Sequence, residues 1–201
     1  MKFIFALLVI VTACSNNQKQ NNCKDANLKL LDYGTFTIQV PKQWRKMEVG
    51  PPEDSYVGYI QINEKALVSF DFGRYSNSLN EDDNNYYYQI EDGKVFMIEK
   101  SSTPNNVKLK YFGIADSATL EKVRRNKIEW IKVDGKTAKL ITPKKHGVGT
   151  TGVYIDNLWI VQGSKIKIQI NAQNLPKEQE KQLLSAIRSL KFYQKKPFII
   201  N

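Results

Sequence analysis

Histidine occurs once in this 201-residue chain, at His146, and cysteine twice, at Cys14 and Cys23. A single imidazole leaves no second one for a histidine metal site or a relay, and so few cysteines exclude a disulfide-stapled fold. No internal repeat recurs at any period. No GxSxG elbow supports a serine nucleophile. The leading apolar run, Phe3 to Val11, is too short for the roughly 20 residues that a helix needs to cross a bilayer, and polar residues resume at Ser15. Acidic side chains are in deficit: 20 Asp and Glu face 30 Lys and Arg, a formal net charge of +10. Because the cations are spread along the chain, this excess argues for solubility and non-specific attraction to anionic surfaces, not for a particular activity.

The first residues have an ordered layout. Lys2 supplies the one cation, the apolar run follows, and small residues come next, which is the build of an export signal. Val11-Thr12-Ala13-Cys14 resembles the lipobox of bacterial lipoprotein precursors, with Val11 where Leu is commoner. The resemblance implies that residues 1–13 are a signal peptide and that Cys14 becomes the first mature residue, bearing two or three acyl chains. At about 0.8 kcal/mol per buried methylene, two or more chains give a stable anchor to the membrane. Cys23 is then left without an intrachain partner. Nucleic acid is excluded as the default reason for the positive charge, because an exported chain meets little of it.

Residues 14–27 read as the lipidated cysteine and a disordered tether, since Ser15 to Asn22 is amide-rich and has no apolar side chain. A flexible leash of this length spans on the order of 20 Å. Similarity to enteric-type lipoproteins, in which an aspartate after the cysteine favours inner-membrane retention, implies outer-membrane sorting here, where Ser15 stands instead. The lack of carboxylates before Asp25 leans towards a periplasm-facing orientation. Residues 28–201 are expected to form a single α+β domain, long enough for a substantial core.

Period-two alternation predicts strands over 35–40, 56–62, 66–72, 94–98, 107–114, 127–133, 137–141, 152–158 and 166–170. Asp134-Gly135 is the best hairpin signal, because a type I′ turn needs positive φ at both centres. A short helix is predicted from Ser117 to Arg125, capped by Asp116 or Ser117. A second begins near Pro176, with Glu178 and Glu180 at its positive end and Leu183, Leu184, Ile187 and Leu190 on one stripe. Together these predict a largely antiparallel sheet of about six to eight strands covered by the C-terminal helix and one shorter helix. Phe36-x-Ile38-x-x-Pro41-x-x-Trp44, together with the terminal helix ending at Ser189-Leu190-Lys191-Phe192, is similar to the Mog1/PsbP-like family. The similarity covers Leu28 to Phe192 and implies a binding or assembly module, with no functional residue to carry over.

Four groups could carry chemistry. Gly147-Val148-Gly149-Thr150-Thr151-Gly152 spells the dinucleotide fingerprint GxGxxG, but a strand pattern follows it where the fingerprint requires a helix. No cofactor is therefore expected. His146, between Lys145 and Gly147, reads as a solvated loop residue. Glu81, Asp82 and Asp83 sit in a run of five polar residues that reads as a solvated loop, without the alternate spacing and glycine of a calcium loop. The candidate ligand contacts are Tyr75, Tyr86, Tyr87 and Tyr88, because aromatic faces stack on sugars and anchor peptides while their hydroxyls stay wet. In a strand Tyr86 and Tyr88 share one face, so at least one of the three adjacent rings must be core.

The expected function is that of a lipid-anchored envelope protein, a non-enzymatic binding or assembly module. Its partners would be the membrane through the acyl chains and an envelope protein, glycan or anionic lipid. The alternative is an envelope hydrolase acting through His146 or the carboxylates at 81–83.

Overall fold

A computed structural model describes residues 27–47, 55–83, 87–99 and 108–193. Residues 1–13, Cys14, Cys23 and Tyr86 lie outside the described residues. Thirteen strands and two α-helices follow one another as β1 (Leu28–Asp32), β2 (Phe36–Pro41), β3 (Arg45–Lys46), β4 (Ser55–Asn63), β5 (Ala66–Gly73), β6 (Tyr88–Glu91), β7 (Lys94–Glu99), β8 (Lys108–Ile114), α1 (Ser117–Val123), β9 (Asn126–Val133), β10 (Lys136–Pro143), β11 (Thr150–Val161), β12 (Ser164–Gln173), α2 (Lys177–Arg188) and β13 (Lys191–Phe192). The class is α+β, with antiparallel sheets and helices packed on them.

The alternation in the sequence lays down a seven-stranded sheet of order β3-β4-β5-β12-β11-β10-β9. Val68, Phe70 and Phe72 of β5 alternate towards one face, where Ile168 and Ile170 of β12 and Val153 and Ile155 of β11 continue the same rows. Two hairpins have clear local causes. Asp134 and Gly135 take φ of 47° and 76°, the left-handed pair that joins β9 to β10. In the β4–β5 hairpin the side-chain carbonyl of Asn63 accepts from the Lys65 N–H at 2.8 Å. A third signal is a close approach: a Cβ on Gly152 would lie 2.5 Å from the Ile170 carbonyl oxygen of β12, so the sheet admits only hydrogen there.

One face of this sheet is closed by α2 and by a small sheet of order β1-β2-β13. The predicted stripe turns inward, with Leu183, Ile187 and, just past the end of α2, Leu190 buried in the main core and Leu184 partly buried against it; Ala186 is buried beside them. Beneath β2, Tyr33 stacks on Phe36 at 4.9 Å and meets the edge of Phe70 at 4.6 Å, while Phe36 meets Phe70 at 5.2 Å. Burial pushes the Tyr33 phenol well above its ordinary value. After α2 the chain returns as β13, pairing Phe192 with Phe36. The Asp134 carboxylate then accepts from Lys191 Nζ and from the Phe192 N–H, each at 2.9 Å, so the β9–β10 turn also pins the last strand.

The remaining strands form a separate three-stranded sheet, β6-β7-β8. The chain leaves the main sheet after Gly73 and rejoins it at Asn126; the excursion encloses a second core of Tyr88, Val95 and Val123, packed by Met97, Ala115 and Leu120. Its helix α1 starts where the cap signal places it, with the Asp116 carboxylate accepting from the Thr119 N–H at 2.7 Å. The main core is the larger and sets the stability. Phe70→Ala removes a fully buried ring from the aromatic cluster, and a loss of about 3–5 kcal/mol is expected from the urea unfolding midpoint. A loss below about 1 kcal/mol would show that the cluster is not packed as described.

Candidate functional site

The densest polar constellation joins the second core to the face of the main sheet opposite α2. It is built from the residues that read as a solvated acidic loop. A 3-10 turn at Glu81–Asp83 turns Glu81 and Asp82 inward. Asp82 accepts from the Tyr88 hydroxyl at 2.6 Å, from Arg124 Nε at 2.9 Å and from a second guanidinium nitrogen of Arg124. Glu81 accepts from the Arg125 N–H at 2.7 Å, the Asn126 N–H at 3.0 Å and Asn126 Nδ2 at 2.7 Å. The free carbonyl of the Asn126 side chain then accepts from the Thr150 N–H at 2.8 Å. The solvated-loop reading is corrected at both positions: the two carboxylates clamp the α1–β9 junction and, through Asn126, the start of β11. The side chain of Asp83 lies outside what is described.

Charge and burial reinforce the clamp. Hydrogen bonds from the Arg124 guanidinium, with help from Tyr88 and from the nearby Lys139 cation, hold the Asp82 carboxyl below its usual range against the opposing cost of burial. The Tyr88 phenol is driven upwards, first by burial and then by its bond to Asp82. Lys139, itself buried, projects from β10 between Trp130 of β9 and Tyr154 of β11. The Lys139 cation makes the smallest of the electrostatic contributions to the Asp82 carboxyl.

The tyrosines separate. Tyr88 is 1 % exposed, with its hydroxyl on Asp82, and belongs to the second core. Tyr87 is partly buried, with the Arg125 guanidinium over its ring. Tyr75 is 73 % exposed. Of the candidate contacts, Tyr75 alone among the described residues presents a largely open ring.

His146 differs from a simply solvated loop residue. Its Nδ1 lies 2.6 Å from Glu180 Oε2; the imidazole is 51 % exposed, whereas the Glu180 side chain is 6 % exposed. Glu180, expected at the wet positive end of α2, is instead pulled under the 144–149 loop. The GxGxxG segment is spent on the same loop and on β11. Gly147 has φ of 81° and donates its N–H to the Leu175 carbonyl at 3.0 Å, Gly149 has φ of 124°, and Thr150, Thr151 and Gly152 are already strand. No three His, Cys, Asp or Glu side chains among the described residues gather in a way that could hold a metal ion. Arg124, Asn126 and Lys139 were not singled out by sequence, and Glu180 was read only as an acid at the positive end of α2. Their partners stand 42, 45 and 34 residues away for Arg124, Asn126 and Glu180, so no local pattern could reveal them.

A different surface remains open. On β8, Leu109, Tyr111, Phe112 and Ile114 are exposed, and among the described residues this strand pairs only with β7. Tyr111 packs against Phe96 of β7 at 5.9 Å. Lys108 and Lys110 punctuate the strand, the usual guard of an edge against indiscriminate pairing. No protein-family profile matches the chain, and no curated protein sequence matches it.

Two outcomes are expected. Because the Asp82 pKa is depressed in the fold, its stabilising contribution is present above its ordinary value of 3.8 and is lost as pH falls through the lower folded value. Urea midpoints taken between about pH 5 and pH 2 should therefore fall more gently for Asp82→Asn than for the native protein, from a lower starting point. His146→Ala leaves the Glu180 carboxylate buried without its imidazole and should cost about 1–3 kcal/mol, read from thermal unfolding at neutral pH. An unchanged midpoint would show that the pair is not formed in solution.

Proposed function

We propose that the protein is a lipid-anchored component of the bacterial cell envelope, facing the periplasm from the outer membrane, whose folded domain binds or helps assemble another envelope component. The anchor rests on Val11-Thr12-Ala13-Cys14 behind a short apolar run. The binding role rests on one structural observation above the others: among the described residues β8 leaves an open sheet edge with several exposed apolar side chains. Exposed apolar strands of this kind mark interaction sites. Positive charge along the chain adds attraction to anionic lipid and to other acidic envelope polymers.

The acids that a hydrolase would need are otherwise engaged. Glu81 and Asp82 are saturated by donors from Tyr88, Arg124, Arg125 and Asn126. His146 and Glu180 make the base and orienting-carboxylate half of a nucleophilic triad, but among the described residues no hydroxyl or thiol is bonded to the imidazole. The half-exposed ring is accounted for by its bond to a buried carboxylate.

The anchor is tested by the mass of the mature N-terminal peptide, which should begin at Cys14 carrying diacylglycerol and, in the fully processed form, a third acyl chain. Cys14→Ala should release the protein from the membrane fraction. An unmodified N-terminus at Met1 would remove the anchor, and turnover of an ester, glycan or peptide substrate by the purified full-length protein would replace the binding role with catalysis.

A further inference from the structure

The main sheet ends on one side in β3, which is only two residues long, and on the other in β9, which runs for eight. β9 pairs with β10 in unbroken register from Asn126 to Val133, and among the described residues no other strand lies beside it. Its face opposite α2 is apolar and open: Trp130 is 67 % exposed and Ile128 48 %. A long, regular edge of this kind is a template for a further strand.

The ladder decides which backbone groups are free. Asp134-Gly135 is a two-residue turn, so its flanking pair, Val133 and Lys136, exchange hydrogen bonds, and every second residue back along β9, namely Ile131, Glu129 and Lys127, also addresses β10. Ile128, Trp130 and Lys132 therefore point their N–H and C=O groups outward. The Asn126 N–H keeps the same phase, since it leaves the ladder and donates to Glu81 at 3.0 Å. An added antiparallel strand must match its own bonding residues to these outward ones.

Charge selects the strand that fits. β8 bears Lys108 and Lys110 and no acid, so it cannot offer itself an opposite charge. On β9, Lys127 and Glu129 are both exposed and stand two residues apart, on the face shared with Ile131 and Val133. That pair is complementary to itself when a two-fold axis passes through Ile128. Each Lys127 then lies opposite the partner's Glu129, at the non-hydrogen-bonded positions where cross-strand side chains come closest. Centring on Lys127 or on Glu129 sets like charges face to face, and centring on Trp130 leaves both charges without an opposite. In the selected register the two Ile128 side chains meet on the axis, each diagonal to the partner's Trp130, and the exposed apolar pair gains its cover. We propose that the protein forms an isologous homodimer by antiparallel pairing of β9 with β9 about Ile128, joining two seven-stranded sheets into one. The contact uses a different strand from the β8 edge on which the binding role rests.

The test is sedimentation equilibrium of the full-length protein in density-matched detergent. A concentration-dependent dimer is expected, weakened by about tenfold or more by Lys127→Glu or by Glu129→Lys, because either change sets like charges opposite each other. An equimolar mixture of the two variants should regain the dimer, since one then presents only acids and the other only cations across the axis, and the double reversal in one chain should regain it alone. Both side chains are exposed, so the thermal midpoints should not move. If either reversal unfolds the domain, Ile128→Asp at the exposed axis position serves instead and should abolish the dimer. A monomer at every concentration, a dimer indifferent to both reversals as association through acyl chains would be, single variants whose mixture stays monomeric, or a dimer dissolved by Tyr111→Lys on β8 but not by the β9 changes would each overturn the proposal.

Discussion

Asp82 sits where two cores meet, and its carboxylate is the point on which the second half of the chain is oriented. Lys139 places a cation on the face of the main sheet not covered by α2, a position that burial would penalise heavily without an opposite charge. Arg124 and Tyr88 both donate to the Asp82 carboxylate, one from the end of α1 and the other from the start of β6. One anion therefore ties the end of a helix to the first strand of the small sheet. Glu81, the preceding residue, extends the hold to Asn126 and so to β11. Among the described residues the second core is small, three buried side chains and four packed against it, and its link to the rest of the fold includes the polar bonds of Glu81 and Asp82.

That division of labour explains how the molecule can expose apolar side chains on β8 without losing its fold. Stability is vested in the main core between the seven-stranded sheet, α2 and the β1-β2-β13 sheet. The outlying sheet is carried on that body by directional bonds, so its far side is released from packing and is available for contact.

Much of the architecture was legible because it is decided within a few residues. The Asp134-Gly135 turn, the Asp116 cap, the alternation in β4 and β5 and the stripe on α2 each depend on neighbours no more than about one helical turn or one hairpin away. The GxGxxG segment was rightly read against its context, since β11 begins at Thr150, before its last glycine. What stayed hidden was everything settled at long range. A run of polar residues at 81–85 looks the same whether it is solvated or whether its acids meet donors more than 40 residues later. Glu180 looked like a helix-dipole residue because its position in the first turn is fully explained by that role, and nothing nearby announces an imidazole from the 144–149 loop. The division into three sheets was equally invisible, because alternation specifies a strand and not its neighbour.

The place of β13 has a consequence for the order in which the molecule can be completed. Phe192, almost at the end of the described chain, is the strand partner of Phe36, near its beginning, and Asp134 from the middle of the chain holds that last strand in place. A chain emerging from its N-terminus cannot close the β1-β2-β13 sheet until Phe192 has been delivered. Until then β2 keeps one edge unpaired and the aromatic cluster beneath it lacks its final lid. Closure of that sheet is therefore a late step, and a product cut short before Lys191 and Phe192 leaves an open seam beside its principal core.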